Sequence, residues 1–322
     1  MTFRFVKGAP AVGDLHRLLL SSLPAERIGL EDLTRKILLD PNLAEEGSIS
    51  AFSGSELIGY CLAITRQVPL ENAPLDVDRG FITLLAVHPR FRRQGVGSSL
   101  LGAAEQFLVS TKRTSCWISP YAPNYFVPGV DVSYDAGLQF LGTYGFASVF
   151  EAISMGLPLT GELREPEWVT VLRSRASTLT IEHPVTSNAW QVLEFVRQEF
   201  PGDWVRVVRE SIVRRTRGDV STGIIALSNE GEIKGFAHYD GERFGPIGVS
   251  ASARGRGYGQ ILMFEALREQ LAAGANRSYF LWSEDRTAER LYRHAGFALE
   301  RRFRILRKDL APNRDTQPGP GA

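Results

Sequence analysis

The chain has 322 residues, of which 43% are hydrophobic and 23% are charged, and this composition predicts a soluble globular protein of about two domains. The formal net charge of +1 gives no general reason to expect a nucleic acid or an anionic membrane as a partner. The two cysteines, Cys61 and Cys116, form no metal-ligand spacing, so the sequence favours a reduced cytoplasmic protein without a metal. No apolar run approaches the ~20 residues that span a bilayer.

The first half of the chain alternates predicted strands and helices. Residues 3–7 are predicted as a strand rather than as a signal peptide. An almost wholly apolar run at 81–87 is typical of a central strand that is covered on both faces. The other predicted elements are helices at 12–22, 30–38, 96–108 and 135–144, and strands at 48–53, 56–64, 115–119 and 146–157.

The second half repeats this order after a predicted linker at 158–167, which has little apolar content. The predicted elements are strands at 179–182, 223–227, 233–239, 243–249, 278–282 and 297–310, and helices at 188–198, 204–215, 258–273 and 286–295. The Pro- and Gly-containing tail, 311–322, is predicted to be disordered. We therefore predict an α+β protein of two domains, 1–157 and 168–310, each a mixed, mostly antiparallel sheet flanked by helices.

Two segments that lie 162 residues apart have nearly the same pattern. One follows Val87 and the other follows Val249, and each combines a strand end, a basic loop with glycines and an amphipathic helix. This offset indicates two copies of one domain rather than a solenoid, whose units run about 20–50 residues. The loop residues are Arg92, Arg93, Gln94, Gly95, Val96, Gly97 and Ser98 in the first copy, and Arg254, Gly255, Arg256, Gly257, Tyr258, Gly259 and Gln260 in the second.

Both loops have the features of a seat for a diphosphate. The first turn of a helix has free N–H groups and a partial positive charge, glycine allows close approach of the backbone, and arginine adds charge-assisted donors. A P-loop is excluded because neither copy has Gly-Lys-Ser/Thr, and a Rossmann fingerprint because the second copy reads GxGxG in the wrong strand order. An ordinary glycine-rich turn would explain one copy more easily than two copies in matching contexts.

The pattern Arg-x-x-Gly-x-Gly, after a strand that ends in Val, resembles the acetyl-CoA loop of the GNAT N-acetyltransferase superfamily. A second signature of that family, Ala-x-x-Leu-Tyr-x-x-x-Gly-Phe, is matched in full from Ala288 to Phe297. The first copy has Leu141 where the second has Tyr292. The layout of two such domains is similar to that of mycothiol synthase and of the bacterial glucosamine/glucosaminide N-acetyltransferases.

The resemblance implies two GNAT-like acyl-CoA N-acyltransferase domains, with acetyl-CoA as co-substrate and direct transfer of acetyl to a primary amine. It implies that Val87, Val249 and the two loops bind the co-substrate, and that Tyr292 is the general acid for the leaving thiolate. A packing role for this tyrosine is the alternative. Because Leu141 cannot donate a proton, the first domain could bind acetyl-CoA without turnover, use water as the acid or serve as a scaffold.

The candidate general bases, Glu242 and His238, lie near the strand before the second loop. Strand alternation places His238 on the same sheet face as Phe236, and a structural histidine is the competing interpretation. Glu242 could equally be a solvated turn residue.

Three further residues are candidates for substrate binding. Trp282 and Asp285 stand at the end of a predicted strand, and Tyr125 lies in a loop, 120–131, that is rich in Pro and Tyr. Core packing of the tryptophan and an ordinary long connection for the loop are the alternatives.

These observations predict an acetyl-CoA-dependent N-acetyltransferase that acts on the primary amine of a small molecule. The second domain is expected to be catalytic, and an amino sugar is the favoured substrate class. No metal, nucleic acid or membrane partner is expected, and the chain is expected to be a monomer or homodimer. The alternatives are a non-catalytic acyl-CoA-binding sensor or scaffold, and an acetyltransferase of an antibiotic or of a protein amine.

Overall fold

The structure is a computed structural model that describes residues 2–160, 163, 165–175, 178–184, 188–200, 202–283 and 286–310. The chain divides into two compact units. Unit 1 takes its described residues from 1–69, 74–152 and 303–322, and unit 2 takes its residues from 70–73 and 153–302. Within the described residues, no helix has both the length and the apolar character needed to cross a membrane.

The strands and helices agree closely with the predicted elements. The strands are β1 (Arg4–Lys7), β2 (Ser48–Ser53), β3 (Glu56–Thr65), β4 (Arg79–Val87), β5 (Ser115–Ile118), β6 (Val130–Asp131), β7 (Ala147–Pro158), β8 (Leu179–Glu182), β9 (Thr222–Asn229), β10 (Glu232–Asp240), β11 (Arg243–Val249), β12 (Arg277–Ser283) and β13 (Ala298–Asp309). The helices are α1 (Val12–Ser22), α2 (Leu30–Leu33), α3 (Val96–Ser110), α4 (Asp135–Thr143), α5 (Glu167–Arg175), α6 (Ala189–Glu199), α7 (Gly202–Thr216), α8 (Tyr258–Ala272) and α9 (Arg286–His294). The single helix predicted at 30–38 is α2 followed by a π-helical turn, Thr34–Leu38.

Unit 1 is built around a mixed sheet. Strands β1 to β4 pair in succession and antiparallel, and β4 then runs parallel to β5. One core packs α3 and α4 against the sheet through residues such as Leu100 and Leu141. A second core packs α1 and α2 through residues such as Leu18 and Leu33. The sheet is therefore covered by helices on both faces, as the apolar run in β4 predicts.

Unit 2 has the same plan. Strands β8 to β11 pair in succession and antiparallel, and β11 then runs parallel to β12. Its larger core packs α5, α8 and α9 through residues such as Val169, Leu262 and Tyr292. The smaller core packs α6 and α7 through residues such as Val196 and Val208. The α+β class and the repeated mixed sheet predicted from the sequence are confirmed.

Each unit is completed by a strand segment that is distant in sequence. In unit 1, β5 pairs antiparallel with the last part of β13, where Leu306 faces Ile118. In unit 2, β12 pairs antiparallel with the last part of β7, where Met155 faces Phe280. The compact units therefore differ from the contiguous ranges 1–157 and 168–310, which stay a prediction about the extent of the two repeats.

Helix α5 was not predicted from the sequence, because 158–167 was interpreted as a linker and the next element was placed at 179. Its apolar residues Trp168, Val169 and Leu172 recur at helical spacing just after Pro166, a proline position that is common at a helix start. These features could have revealed the helix, but it has no counterpart in the first repeat to indicate it. The predicted disordered tail, 311–322, lies outside the described residues.

Candidate functional site

In unit 1 the two parallel strands of the sheet separate into a fork. Strands β4 and β5 pair from Arg79 to Ile82, and in the described chain no strand lies beside that edge of β4 from Thr83 onward. The backbone N–H of His88 donates to Ile58 O on β3, at 2.8 Å. Because strand backbone groups alternate in direction, the N–H groups of Leu85 and Val87 point the opposite way, into the fork.

Unit 2 contains a matching fork. Strands β11 and β12 pair at Arg243 and Tyr279, after which β11 continues to Val249. The N–H of Ser250 donates to Lys234 O on β10, at 2.9 Å. By the same alternation, the N–H groups of Val249 and of Ile247 point into this fork.

Both inner strands also bulge at the mouth of the fork. In unit 1 the extra residue is Thr83, between the pairs Leu62↔Leu84 and Ala63↔Ile82. In unit 2 the register shifts between the pairs Ala237↔Ile247 and Tyr239↔Phe244, leaving Gly245 and Pro246 opposite His238. Thr83 and Gly245 are 162 residues apart, which is also the offset between the two loops, so the bulge belongs to the repeated unit. Bulges re-aim backbone groups and are over-represented next to active sites.

The two loops that follow the forks have the same backbone shape. Gly95 and Gly257 precede α3 and α8 with φ of 86° and 84°, a left-handed conformation that glycine adopts without steric cost. Arg93 and Gly255, again 162 residues apart, also have positive φ, at 61° and 78°. Successive N–H groups in such turns form a concave seat for anions, which lies here at the start of a helix.

The side chains of the loops brace this backbone. Arg92 donates from Nε to Val87 O at 3.2 Å and from Nη2 to Ser22 O at 3.0 Å. Arg254, its counterpart, donates from Nε to Val249 O at 3.4 Å. Both guanidinium groups therefore contact the carbonyl of the last strand residue, a function that the sequence analysis did not anticipate.

The remaining loop residues divide into anchors and exposed groups. Val96 and Tyr258 are the buried first residues of α3 and α8, so their side chains fix each helix start. Ser98 Oγ lies 2.6 Å from the hydroxyl of Tyr144. The exposed residues are Arg93, Gln94 and Arg256, of which Gln94 donates to Arg90 O at 3.0 Å.

Tyr292, on α9, packs across the base of the unit 2 fork. Its ring centroid lies 4.0 Å from that of Phe280 on β12 and 6.1 Å from that of Phe244 on β11. The residue is 7% exposed, and burial raises the pKa of its hydroxyl far above the usual value. The hydroxyl is therefore neutral at ordinary pH and is a proton donor. In unit 1 the corresponding residue is the buried, apolar Leu141.

The two candidate bases lie near the unit 2 fork in different surroundings. His238 is buried, and its Nδ1 lies 2.8 Å from the bulge carbonyl of Gly245, so Nδ1 carries the proton and donates. Burial lowers the pKa of His238 to about 4, so the imidazole is neutral at pH 7. Glu242 is 38% exposed, its Oε2 lies 3.9 Å from Nε of Arg277, and its carbonyl accepts from Tyr279 N–H at 2.9 Å.

The candidate substrate-binding residues are only partly described. Trp282 is half-buried on β12, two residues beyond Phe280 on the same strand face. Asp285 lies outside the described residues. Tyr125, in unit 1, is half-buried, and its carbonyl accepts a hydrogen bond from Lys36 Nζ at 3.2 Å.

In unit 1 the loop that contains Tyr125 is fixed by a buried polar network. Tyr121 is 1% exposed, packs on Phe81 and donates its hydroxyl to Asp40 Oδ1 at 3.0 Å. Asn124 donates to Asp40 Oδ2 at 2.7 Å, and Asn42 donates to the Tyr121 hydroxyl at 2.7 Å. The side chains of this loop thus fill the face of the sheet that α1 and α2 cover.

Two models of one family match separate parts of the chain. The acetyltransferase (GNAT) family model matches residues 14–124, and an acetyltransferase (GNAT) domain model matches residues 220–299. Each match contains one fork and one loop. The chain is a tandem-domain member of the GNAT superfamily and an N-acetyltransferase.

Similar proteins share this arrangement. Mycothiol acetyltransferase of Saccharopolyspora erythraea is 24% identical over 262 residues, which are 76% of this chain and 80% of the relative. A GCN5-related N-acetyltransferase of Sphaerobacter thermophilus is similar in structure with a TM-score of 0.72, at 20% identity and 97% coverage of both chains.

Two further solved structures show the same fold. The glucosamine N-acetyltransferase region of a fungal multi-domain GH3 β-N-acetylglucosaminidase has a TM-score of 0.77 at 15% identity, over 95% of this chain and 38% of that protein. The present chain thus spans well under half the length of this multi-domain relative. A tandem GNAT protein from the clavulanic acid biosynthesis pathway has a TM-score of 0.66 at 17% identity, over 97% of this chain and all of that one.

Proposed function

We propose that the protein transfers the acetyl group of acetyl-CoA to the primary amine of a small molecule, and that transfer takes place at the fork of unit 2. The observation that carries this proposal is the position of Tyr292, whose ring packs against residues of both fork strands. A neutral, buried hydroxyl at this point is suited to protonate a leaving group. Unit 1 offers only Leu141 at the matching position.

The unit 2 fork and loop fit the co-substrate that the GNAT family uses. The loop after β11 has the left-handed glycine backbone and helix start that suit a pyrophosphate. The N–H groups of Ile247 and Val249 point into the fork, where they can donate to the amide carbonyls of the pantetheine arm. The predicted co-substrate residues Val249 and 254–260 thus form one continuous track from fork to helix.

Proton transfers at both ends of the reaction are assigned to residues of unit 2. The amine nitrogen bonds to the thioester carbonyl carbon, the C–S bond breaks, and the sulfur takes a proton from the Tyr292 hydroxyl. The proton that the amine loses goes to the general base. Gly245 N–H, at the bulge, is proposed to donate to the carbonyl oxygen while it carries negative charge.

Glu242 and His238 remain the candidate bases, and their contacts suggest different roles. The carboxylate of Glu242 is partly exposed at the start of β11 and is free to receive a proton from an entering amine. His238 holds the carbonyl of Gly245 and thereby the shape of the bulge. We assign the base to Glu242 and a positioning role to His238.

An amino sugar is the proposed acceptor class. The name of one structural relative includes glucosamine N-acetyltransferase, and Trp282 is half-buried at the outer end of β12. The flat face of an indole packs well against the apolar face of a sugar ring. We propose Trp282 as the stacking residue, and Asp285 and Tyr125 stay predictions for acceptor binding.

Unit 1 is proposed to bind acetyl-CoA without transferring its acetyl group. Its fork and its loop, from Val87 to Ser98, have the co-substrate features of unit 2. However, Leu141 offers no proton, and Tyr121 occupies the sheet face on which an acceptor would lie.

A thiol-release assay tests the proposed function. The protein is mixed with acetyl-CoA and either glucosamine or N-acetylglucosamine, whose amine is blocked. Free thiol is expected with glucosamine alone. Turnover with an aminoglycoside or a peptide amine instead of glucosamine would move the acceptor class, and binding of acetyl-CoA without turnover on any amine would favour a non-catalytic module.

A further inference from the structure

The two loops differ in what lies over their first glycine. A Cβ atom placed on Gly257 would lie 2.6 Å from Cδ1 and 2.8 Å from Cδ2 of Leu172, on α5. A Cβ atom placed on Gly95 would meet no atom within 4 Å. Because the two glycines have nearly the same φ, the same side of the loop is covered by an apolar side chain in unit 2 and is open in unit 1.

The remainder of each loop is alike, which isolates the Leu172 contact as the difference. Gly97 and Gly259 are the second glycines of the two loops. A Cβ on Gly97 would lie 3.5 Å from Phe140, and a Cβ on Gly259 would lie 3.7 Å from Leu291. Phe140 and Leu291 occupy equivalent positions on α4 and α9. Helix α5 has no equivalent ahead of β1 among the described residues of unit 1.

Helix α5 is held against α8 by both apolar and charged contacts. Val169 is fully buried, and Trp168 packs edge-on against Phe264 of α8, 5.8 Å between centroids. Arg173 forms ion pairs with Glu165, at 3.1 Å, and with Glu265 of α8. These contacts fix the backbone on both sides of Leu172, so the side chain is held over the loop.

An isobutyl group over an anion seat opposes anion binding for two reasons. It occupies the space through which phosphate oxygens approach the N–H groups, and it offers no hydrogen bond in exchange for the water that they lose. Moving it away exposes apolar surface, which costs free energy in proportion to its area. The open loop of unit 1 meets neither cost.

We propose that Leu172 sets the affinity of the unit 2 loop for the diphosphate of acetyl-CoA, so that the open unit 1 loop fills first and unit 2 binds only when Leu172 moves aside. This inference rests on the proposed function, in which both loops bind acetyl-CoA and unit 2 carries out the transfer. Leu172 is thus a determinant of co-substrate affinity that touches neither the acetyl group nor the acceptor.

Calorimetric titration with coenzyme A tests this inference. The wild-type protein is expected to show a tight and a weak site, and Gly95→Glu should remove the tight one. Leu172→Ala should strengthen the weak site by about tenfold or more, as expected for loss of a partly buried leucine side chain. Leu172→Met, which keeps the volume, and Val171→Ala, on an exposed neighbour, should leave both sites as in the wild type.

The same variants separate failure of this inference from failure of the proposed function. If Leu172→Ala leaves the weak site unchanged, the Leu172 inference is wrong, while thiol release by the wild-type protein still supports acetyl transfer. Equal affinity at both wild-type sites would also overturn it. Circular dichroism and the melting temperature confirm that each variant is folded. If any variant lacks wild-type helicity, Leu172→Val, a smaller truncation, is used and should strengthen the weak site by a smaller factor.

Discussion

The ring centroid of Tyr292 lies 4.0 Å from that of Phe280, with 33° between the ring planes. Phe280 belongs to one strand of the unit 2 fork, and Phe244, on the other, contacts the same tyrosine edge-on. The apolar enclosure accounts for the raised pKa of the Tyr292 hydroxyl. A buried phenol with this pKa keeps its proton until a strong base, such as a leaving thiolate, is formed beside it.

Replacement of Tyr292 by phenylalanine should therefore slow the chemistry and spare binding. Tyr292→Phe keeps the ring contacts and removes the proton donor, so kcat should fall by about 10²-fold or more, with KM for acetyl-CoA almost unchanged. Steady-state thiol release measures both constants. Tyr134→Phe, which removes a hydroxyl that accepts a hydrogen bond from Ala25 N–H in unit 1, is the matched control. An unchanged kcat for Tyr292→Phe would assign this tyrosine to packing.

The general base is tested by a second isosteric change. Glu242→Gln should lower kcat by about 10²-fold because the amide cannot accept the amine proton. Glu232→Gln, on an exposed carboxylate of β10 that pairs with Lys234, should keep wild-type kinetics. A change in KM alone for Glu242→Gln would indicate acceptor binding rather than proton transfer.

His238 predicts a pH dependence of stability. Burial lowers its pKa from 6.5 to about 4 in the folded protein, so between these pH values the unfolded chain binds more protons than the folded one. The free energy of unfolding should then fall as pH decreases from about 6.5 to 4, by about 3 kcal/mol in total.

Urea unfolding at pH 7 and pH 4.5 measures this effect. The wild-type protein and His16→Gln, a control in unit 1, should both lose stability over this interval. His238→Gln should lose less by about the His238 contribution, because the glutamine has no proton to gain. An equal loss in His238→Gln would show that other groups cause the acid sensitivity.

The strand that completes unit 1 predicts a distant effect on its stability. Ile305, on β13, is fully buried in the unit 1 part of that strand. Ile305→Ala should cost about 2–5 kcal/mol and should lower the urea midpoint of the transition reported by coenzyme A binding at the Gly95 loop. Arg304→Ala, on a half-exposed side chain that pairs with Glu151 at 3.6 Å, should cost under about 1 kcal/mol. A negligible effect of Ile305→Ala would contradict the observed strand exchange.

Local sequence patterns were sufficient to predict most elements and both loops. The apolar run ending at Val87 and the glycines at 95 and 97 are signals that lie within one short stretch of chain, and the repeat doubled their weight. The pairing of β5 with the end of β13 could not be predicted, because a strand pattern does not identify its partner. The roles assigned to the site residues stay predictions.

Two features of the site required coordinates. Arginines 92 and 254 were expected to face a phosphate, but their Nε atoms donate to strand carbonyls, a choice that a short basic motif does not encode. The cover that Leu172 places over Gly257 depends on the packing of a helix that lies 85 residues earlier in the chain. Such a contact between distant segments leaves no periodic pattern in either one.

The location of acetyl transfer is the central claim, and one paired measurement tests it most directly. Gly257→Glu and Gly95→Glu place a carboxylate and a strained left-handed residue at equivalent points of the two loops, with Gly231→Glu, at φ 79° in an open turn, as the control for strain alone. Thiol release from acetyl-CoA with glucosamine should be abolished by Gly257→Glu and should stay within about twofold of wild type in Gly95→Glu. Loss of turnover in Gly95→Glu, with activity retained in Gly257→Glu, would contradict the account.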